Sequence, residues 1–454
     1  MTAPSDPSPP DQPPHGSPAS PLRPWMVIAA AAVVTILVLV VAGNWLGGTP
    51  EPSASDPSQN PSQNPSQAAS ETPSATETPS LPPGIGVTWT PVATFPGSGV
   101  GDLTAGGPGF VAVGGSGPVS CDACPGLEAY AGMIWTSVDG RTWNEVALQG
   151  LAGSTLYQVA ATPDWLVARG VRDLNPDPAQ VEEVHQFLSS TDGLTWLETD
   201  IADTYTTRFN DLIGGSIFIL GGSVLDADGI EHAVLWTSTD GRDWQEVHRS
   251  NEWSSVASVT ATANGWLAVG GANRELPVTT AATCPVNPCE PELYGFPVFW
   301  TSDDGSHWTQ HDLPLGSTAF AGSARFALDS SLGLIVIGDG SYPDVVADSE
   351  IQGFAAWRSL DGVTWESAPV TADFLENVGG GFLAYDAGGH VFAIGSGCNC
   401  GTGEPFRWWN TTDGLNWIQH DDTAAPIPHS VIEVDDGLLA TGLVDGSGAI
   451  LSSP

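Results

Sequence analysis

The chain has 454 residues, in which 52 Asp and Glu face 11 Arg and no Lys, giving a formal net charge of −41. Binding nucleic acid depends on cationic contacts to phosphates, so this balance excludes it as a partner. The same imbalance gives a soluble, self-repelling surface suited to an exported monomer.

Residues 1–24 are rich in Pro and Ser and lack apolar periodicity, which predicts a disordered tail. Residues 25–46 then run without a charge. That length crosses a hydrocarbon core of about 30 Å and exceeds the apolar region of a cleaved signal peptide. Arg23 precedes the run and the next cation is Arg141, so the positive-inside rule predicts a cytoplasmic N-terminus and an extracellular remainder. Trp25 and Trp45 would sit at the two interfaces; cleavage near Ala42 is the competing reading. Residues 47–84 are Pro, Ser, Thr, Gln and Glu, including the repeated Pro-Ser-Gln of residues 57–67. Such a segment buries no core and predicts a semi-extended linker of about 3.1 Å per residue at most.

From residue 85 to 454 one phrase recurs six times. It reads Trp135-Thr-Ser137-Val-Asp139-Gly140-Arg-Thr-Trp143 and returns at 188–196, 236–244, 300–308, 357–365 and 409–417. A period of 48 to 64 residues marks repeated supersecondary units. Seven short β-rich runs, such as Trp266-Leu-Ala-Val-Gly270, each follow an innermost strand and in six cases end at what reads as a glycine turn. Together with the two arms of the phrase this makes four strands per unit. The chain stops at Leu451-Ser452-Ser453-Pro454, where Asp-Gly would follow, while Val87-Thr88-Trp89 near the start matches the missing second half. The expectation is an all-β, seven-bladed propeller whose last blade is closed by the N-terminal strand, leaving no open sheet edge.

Asp-Gly between two β runs is a tight-turn signal, since glycine tolerates positive φ and the carboxylate accepts backbone N–H groups across the turn. The Ser hydroxyl adds a second bond, and the flanking Trp side chains fill the wedge between blades. The phrase resembles the Asp-box, or bacterial neuraminidase repeat, with Asp and Gly adjacent here. That resemblance implies a structural fastening, on the face away from any ligand, for Asp139, Asp192, Asp240, Asp304, Asp361 and Asp413. It does not extend to a sialidase active site: the Phe-Arg-Ile-Pro signature is absent, Phe406-Arg407-Trp408 is no substitute, and sialidases have six blades.

Six cysteines form close pairs, Cys121 with Cys124, Cys284 with Cys289, and Cys398 with Cys400, all between the second and third strands of their units. In an exported domain these read as disulfides, although a bond within Cys398-Asn399-Cys400 would be strained. Cys-x-x-Cys also occurs in zinc sites, but three pairs spread around a ring favour the structural reading, and no metal or cofactor is expected. The long insertions, residues 116–131, 171–185, 272–296 and 339–353, share the face where binding loops belong. On that face, aligning the units on the second-strand glycine places Arg208, Arg325 and His429 at one equivalent position. Three basic groups near a common mouth would hold an anionic ligand such as a carboxylate; the competing reading pairs each with a neighbouring acid, Asp211 for Arg208. Asp226-Ala-Asp228-Gly229-Ile-Glu231 reads as a tight hairpin in preference to part of a calcium loop. The functional expectation is a membrane-anchored extracellular propeller that binds a surface glycan or protein. The alternative is a cell-surface glycoside hydrolase or lyase, which would need paired carboxylates over the mouth.

Overall fold

The computed structural model describes residues 87–116, 131–148, 150–174, 183–199, 201, 206–275, 293–315, 321–344, 349–369, 382–395, 407–420 and 428–454. Residues 25–46, expected to span a membrane, lie outside them. So do all the cysteines expected to form disulfides: Cys121, Cys124, Cys284, Cys289, Cys398 and Cys400. Among the described residues no helix is long and apolar enough to cross a membrane. Every regular element described is a strand, and the strands form seven four-stranded antiparallel sheets. The chain is a seven-bladed β-propeller.

Blade four shows the plan. Its strands are Ser254–Thr262, Gly265–Glu275, Leu293–Ser302 and Thr309–Asp312, each paired with the next. First strands of neighbouring blades contact one another, as Ser254–Thr262 does both Thr207–Ile213 and Ala321–Ser330, which sets them around the central axis. Antiparallel alternation then defines two faces. The turn between first and second strands and the Asp-Gly turn between third and fourth share one, the turn face. The hairpins between second and third strands, and the links between blades, share the other, the loop face. Residues 171–185, 272–296 and 339–353, expected as loop insertions, are partly strand: the second and third strands of blades two, four and five run into them.

The seventh blade is built from both ends of the domain. Thr90–Phe95 pairs with Ser447–Ser453, from Thr90 opposite Ser452 to Phe95 opposite Gly448. Trp89, just before this strand, is buried and meets the Tyr385 ring of blade six edge-on at 5.9 Å between centroids.

Alternation along each strand sends apolar side chains into the wedges between blades. Ile219, Ala233 and Leu235 of blade three pack on Val256, Ala268, Val298 and Trp300 of blade four. The leading Trp of the phrase is the wedge: Trp135, Trp236, Trp300, Trp357 and Trp409 are buried. In five of the six copies the trailing Trp bonds to its own turn, as Trp143 Nε1 donates to the Gly140 carbonyl at 3.0 Å; the Trp365 indole N–H does not.

The recurring second-strand glycine is not a turn. In blades one to five, Gly114, Gly170, Gly222, Gly270 and Gly338 sit inside the strand, and an added Cβ at each would collide with a first-strand carbonyl. The close approach comes from a β-bulge in the first strand, where one extra residue is left without a cross-strand partner. The bulged residues are Gly101, Tyr157, Asn210, Ala257, Arg325 and His429. Each lies near the loop-face end of its strand, so the bulges ring the mouth of the axis.

Candidate functional site

On the turn face the phrase forms a closed local network. Asp139 Oδ1 accepts the backbone N–H groups of Arg141 at 2.9 Å and Thr142 at 2.7 Å, and the Ser137 hydroxyl donates to the same oxygen. Asp192, Asp240, Asp304, Asp361 and Asp413 repeat this pattern, with Thr411 standing for Ser in blade six. Gly140, at φ +68°, takes a conformation that would strain a side chain, and its missing Cβ leaves room for Leu439 of the preceding blade. The N–H donors of Thr142 and Arg141 hold Asp139 down at about 2, and those of Thr364 and Val363 do the same for Asp361. These carboxylates are spent on their own turns.

Around the axis, the residues at and beside the bulges tie blades seven, one, two, three and four in succession. Asp102 follows the bulge of blade one; its Oδ2 accepts Val159 N–H of blade two at 2.9 Å. Its Oδ1 accepts Leu103 N–H at 2.8 Å and the Ser430 hydroxyl of blade seven at 2.5 Å. Asp211 follows the bulge of blade three and likewise takes Val259 N–H of blade four at 2.8 Å and Gln158 Nε2 of blade two at 2.8 Å. At two of these seams, seven to one and two to three, a second-strand side chain also donates to the bulge region of the following blade. Thr441 reaches the Gly101 carbonyl, and Arg169 reaches the carbonyls of Phe209 at 2.8 Å and Asn210 at 2.7 Å.

Arg169 is fully buried, 2% exposed, and its remaining contacts are Gln158 Oε1 at 2.5 Å and the Tyr157 hydroxyl at 3.2 Å. No carboxylate among the described residues forms an ion pair with it, so carbonyl dipoles and the Gln158–Asp211 link carry its charge.

Asp102 is the seam group with a distinctive titration. Desolvation pushes its carboxyl up to about 6, against the pull of Ser430 and the two N–H donors, with Asp211 adding to the rise. A folded pKa raised above its unfolded value contributes stability that is fully present below about pH 4 and lost as pH rises through about 6. Asp102→Asn should therefore remove a falling component of stability across that window. Urea titrations of both proteins at pH 4 and pH 7 check this; equal differences at the two pH values would refute it.

The three basic residues expected on the loop face do not share one position. Arg325 and His429 occupy bulges, but Arg208 lies two residues before the bulge of blade three, opposite Ser223. Each has its own partner. Arg208 pairs with Glu231 at 3.5 Å, not with Asp211. Arg325 donates to Asp339 of its own blade at 2.5 Å. His429 packs against the Val100 backbone of blade one, and desolvation lowers its pKa despite that contact.

Two other sequence features resolve simply. Asp226 closes a hairpin: its Oδ1 accepts the N–H groups of Asp228 and Ile230, both at 2.9 Å, and its Oδ2 meets His232 Nε2 at 2.9 Å. Among the described residues no group of three or more His, Cys, Asp or Glu is arranged to hold a metal ion. The close pairs Cys121 with Cys124, Cys284 with Cys289, and Cys398 with Cys400 fall outside those residues, so neither their bonding nor a metal between them enters the site.

No family model matches the chain, and no curated protein does. Among solved structures it is similar to an acylaminoacyl peptidase of Pyrococcus horikoshii, at 11% identity and a TM-score of 0.38 over 66% of this chain and 46% of that one. The match thus spans under half of the peptidase. It is also similar to an α-L-arabinofuranosidase of Fusarium graminearum, at 14% identity and a TM-score of 0.37 over 66% of this chain and 92% of that one. An α-L-arabinanase of Penicillium chrysogenum matches at 13% identity and a TM-score of 0.37, over 64% of this chain and 89% of that one.

Sequence reasoning missed the seam residues. Asp102 and Asp211 share a small signal, Gly101-Asp102-Leu103 against Asn210-Asp211-Leu212. Arg169 stands where blades one, four and five carry Val113, Val269 and Ile337.

Proposed function

We propose that the chain is a single-pass membrane protein with a cytoplasmic N-terminus, whose propeller stands outside the cell on the linker of residues 47–84 and binds a surface glycan or protein partner through its loop face. The turn-face phrases are Asp-box repeats, and the cysteine pairs are local disulfides on the loop face. Support for binding over hydrolysis comes from how the carboxylates near the axis are used. A glycosidase holds one carboxyl protonated as acid beside a second that attacks or activates water. Asp102 has the raised pKa of such an acid, yet its oxygens accept Val159, Leu103 and Ser430, and Asp211 is committed to Val259 and Gln158.

Two measurements test the reading. In intact cells, external protease should remove the propeller while a tag on residues 1–24 stays protected; protection of the propeller would overturn the topology. The purified protein should sediment with isolated cell envelope, and Asp240→Ala should leave that unchanged while lowering stability by about 1–3 kcal/mol through the freed turn N–H groups. Loss of envelope binding by a folded Asp240→Ala protein would move the binding site to the turn face.

A further inference from the structure

We propose that the side-chain cluster around Arg274, at the loop-face end of blade four beside blade three, binds a neutral oligosaccharide; this rests on the loop face being the binding face. Strand ends converge there. Arg274 is the penultimate residue of Gly265–Glu275, Tyr294 stands opposite it in Leu293–Ser302, and Asp312 ends Thr309–Asp312. Glu252 lies just before the first strand of the blade, separated from it by Trp253 alone. Arg274 Nε and Nη2 hold the Glu252 carboxylate at 3.0 and 3.1 Å, and Nη2 also meets Asp312 Oδ1 at 2.8 Å. Behind this cluster, Gln310 donates to Glu252 and its carbonyl oxygen accepts the Trp300 indole N–H at 3.1 Å. Blade three completes the wall, with His232 bridging Asp226 at 2.9 Å and the Ser250 carbonyl at 3.1 Å.

Three properties of the cluster select the ligand. First, carboxylates outnumber the cation: Glu252 and Asp312 flank Arg274, on a chain of net charge −41, so an anionic ligand is repelled. Second, hydrogen-bonding capacity is left over and exposed. Among the described residues Arg274 Nη1 and Asp312 Oδ2 make no hydrogen bond, and the Asp312 side chain is 63% exposed. A donor beside an acceptor on fixed strand ends suits neighbouring hydroxyls of one sugar ring. Third, aromatic surface lies beside them on the same side of the sheet. Arg274 stands 5.7 Å over the Phe296 ring, and Tyr294 and Phe296, two residues apart, are both half-buried. Such rings offer flat apolar area to the C–H face of a sugar.

Blade two provides the contrast. Arg172 occupies a similar place at the end of the second strand, but its nitrogens are spent on Ser154, the Gly150 carbonyl and Glu198, and Val184 stands opposite where blade four has Tyr294. That arrangement is an ion pair within blade two. Of these two blades, blade four alone adds the rings and leaves the capacity open among the described residues.

The test titrates the purified full chain with cellotetraose, xylotetraose and mannotetraose, and with tetragalacturonic acid as anionic counterpart, by isothermal calorimetry. At least one neutral tetrasaccharide should bind and the uronic acid should not. Tyr294→Ala and Asp312→Asn should each weaken that binding by about tenfold or more. Asp312 is an exposed strand end, so its variant keeps the test open should Tyr294→Ala fail to fold. Neutral binding that survives both substitutions removes this site and leaves the loop-face reading intact. Binding of none of the neutral sugars, or of the uronic acid alone, overturns the proposal.

Discussion

Deleting residues 87–95 should collapse the thermal stability of the whole propeller, not of one edge. The deletion removes the strand that pairs with Ser447–Ser453 and takes Trp89 out of its contact with Tyr385. Loss of a buried Trp alone costs about 3–5 kcal/mol, and an unclosed seventh blade also exposes a strand edge. The expected result in scanning calorimetry is a lower midpoint for the single main transition, with aggregation on heating. A separate low-temperature step that leaves the main transition in place would show that the blades do not depend on closure. Re-attaching residues 87–95 after Pro454 in the same deletion should restore the midpoint, because the pairing partner is unchanged.

Arg169→Leu should be the most damaging single substitution at the seams. The leucine fills part of the volume but leaves the Phe209 and Asn210 carbonyls, both on the first strand of blade three, without their donor. Each orphaned buried carbonyl costs about 1–3 kcal/mol, so a loss on the order of 3 kcal/mol is expected in urea unfolding. Arg169→Lys should recover little of it, since an ammonium on a flexible stem does not reproduce the planar fork that meets two carbonyls and Gln158 together. A Lys variant as stable as the parent would show that charge, and not the fork, holds the seam.

The blade plan was legible because its determinants are local. Asp139, Gly140 and Trp143 act on groups within a few residues, and that spacing survives in all six copies. The seams were not, because their partners lie in other blades: Gln158 meets Asp211 across 53 positions, and Ser430 meets Asp102 across 328. The misplacement of Arg208 has a definite origin. Blade three has two consecutive glycines, and the one that packs against the bulge is Gly222, not Gly221. Its first hairpin is also one residue shorter than those of the other bulged blades, which doubles the offset. The second-strand glycine was read as a turn because sequence alone shows that a side chain is excluded, not whether a bend or a neighbouring carbonyl excludes it.

Blade closure also fixes where handles can be attached. Thr90, opposite Ser452, begins the closing strand at the turn face, and Ser447–Ser453 ends there as well. A probe, bead or sensor chip coupled at either point therefore meets the side lined by Asp139 and its counterparts, and the opposite rim stays open to solution. Immobilised through its C-terminus, the protein should display the Arg274 cluster outward, whereas coupling through a cysteine engineered at Asp228, on the loop-face hairpin of blade three, should occlude it.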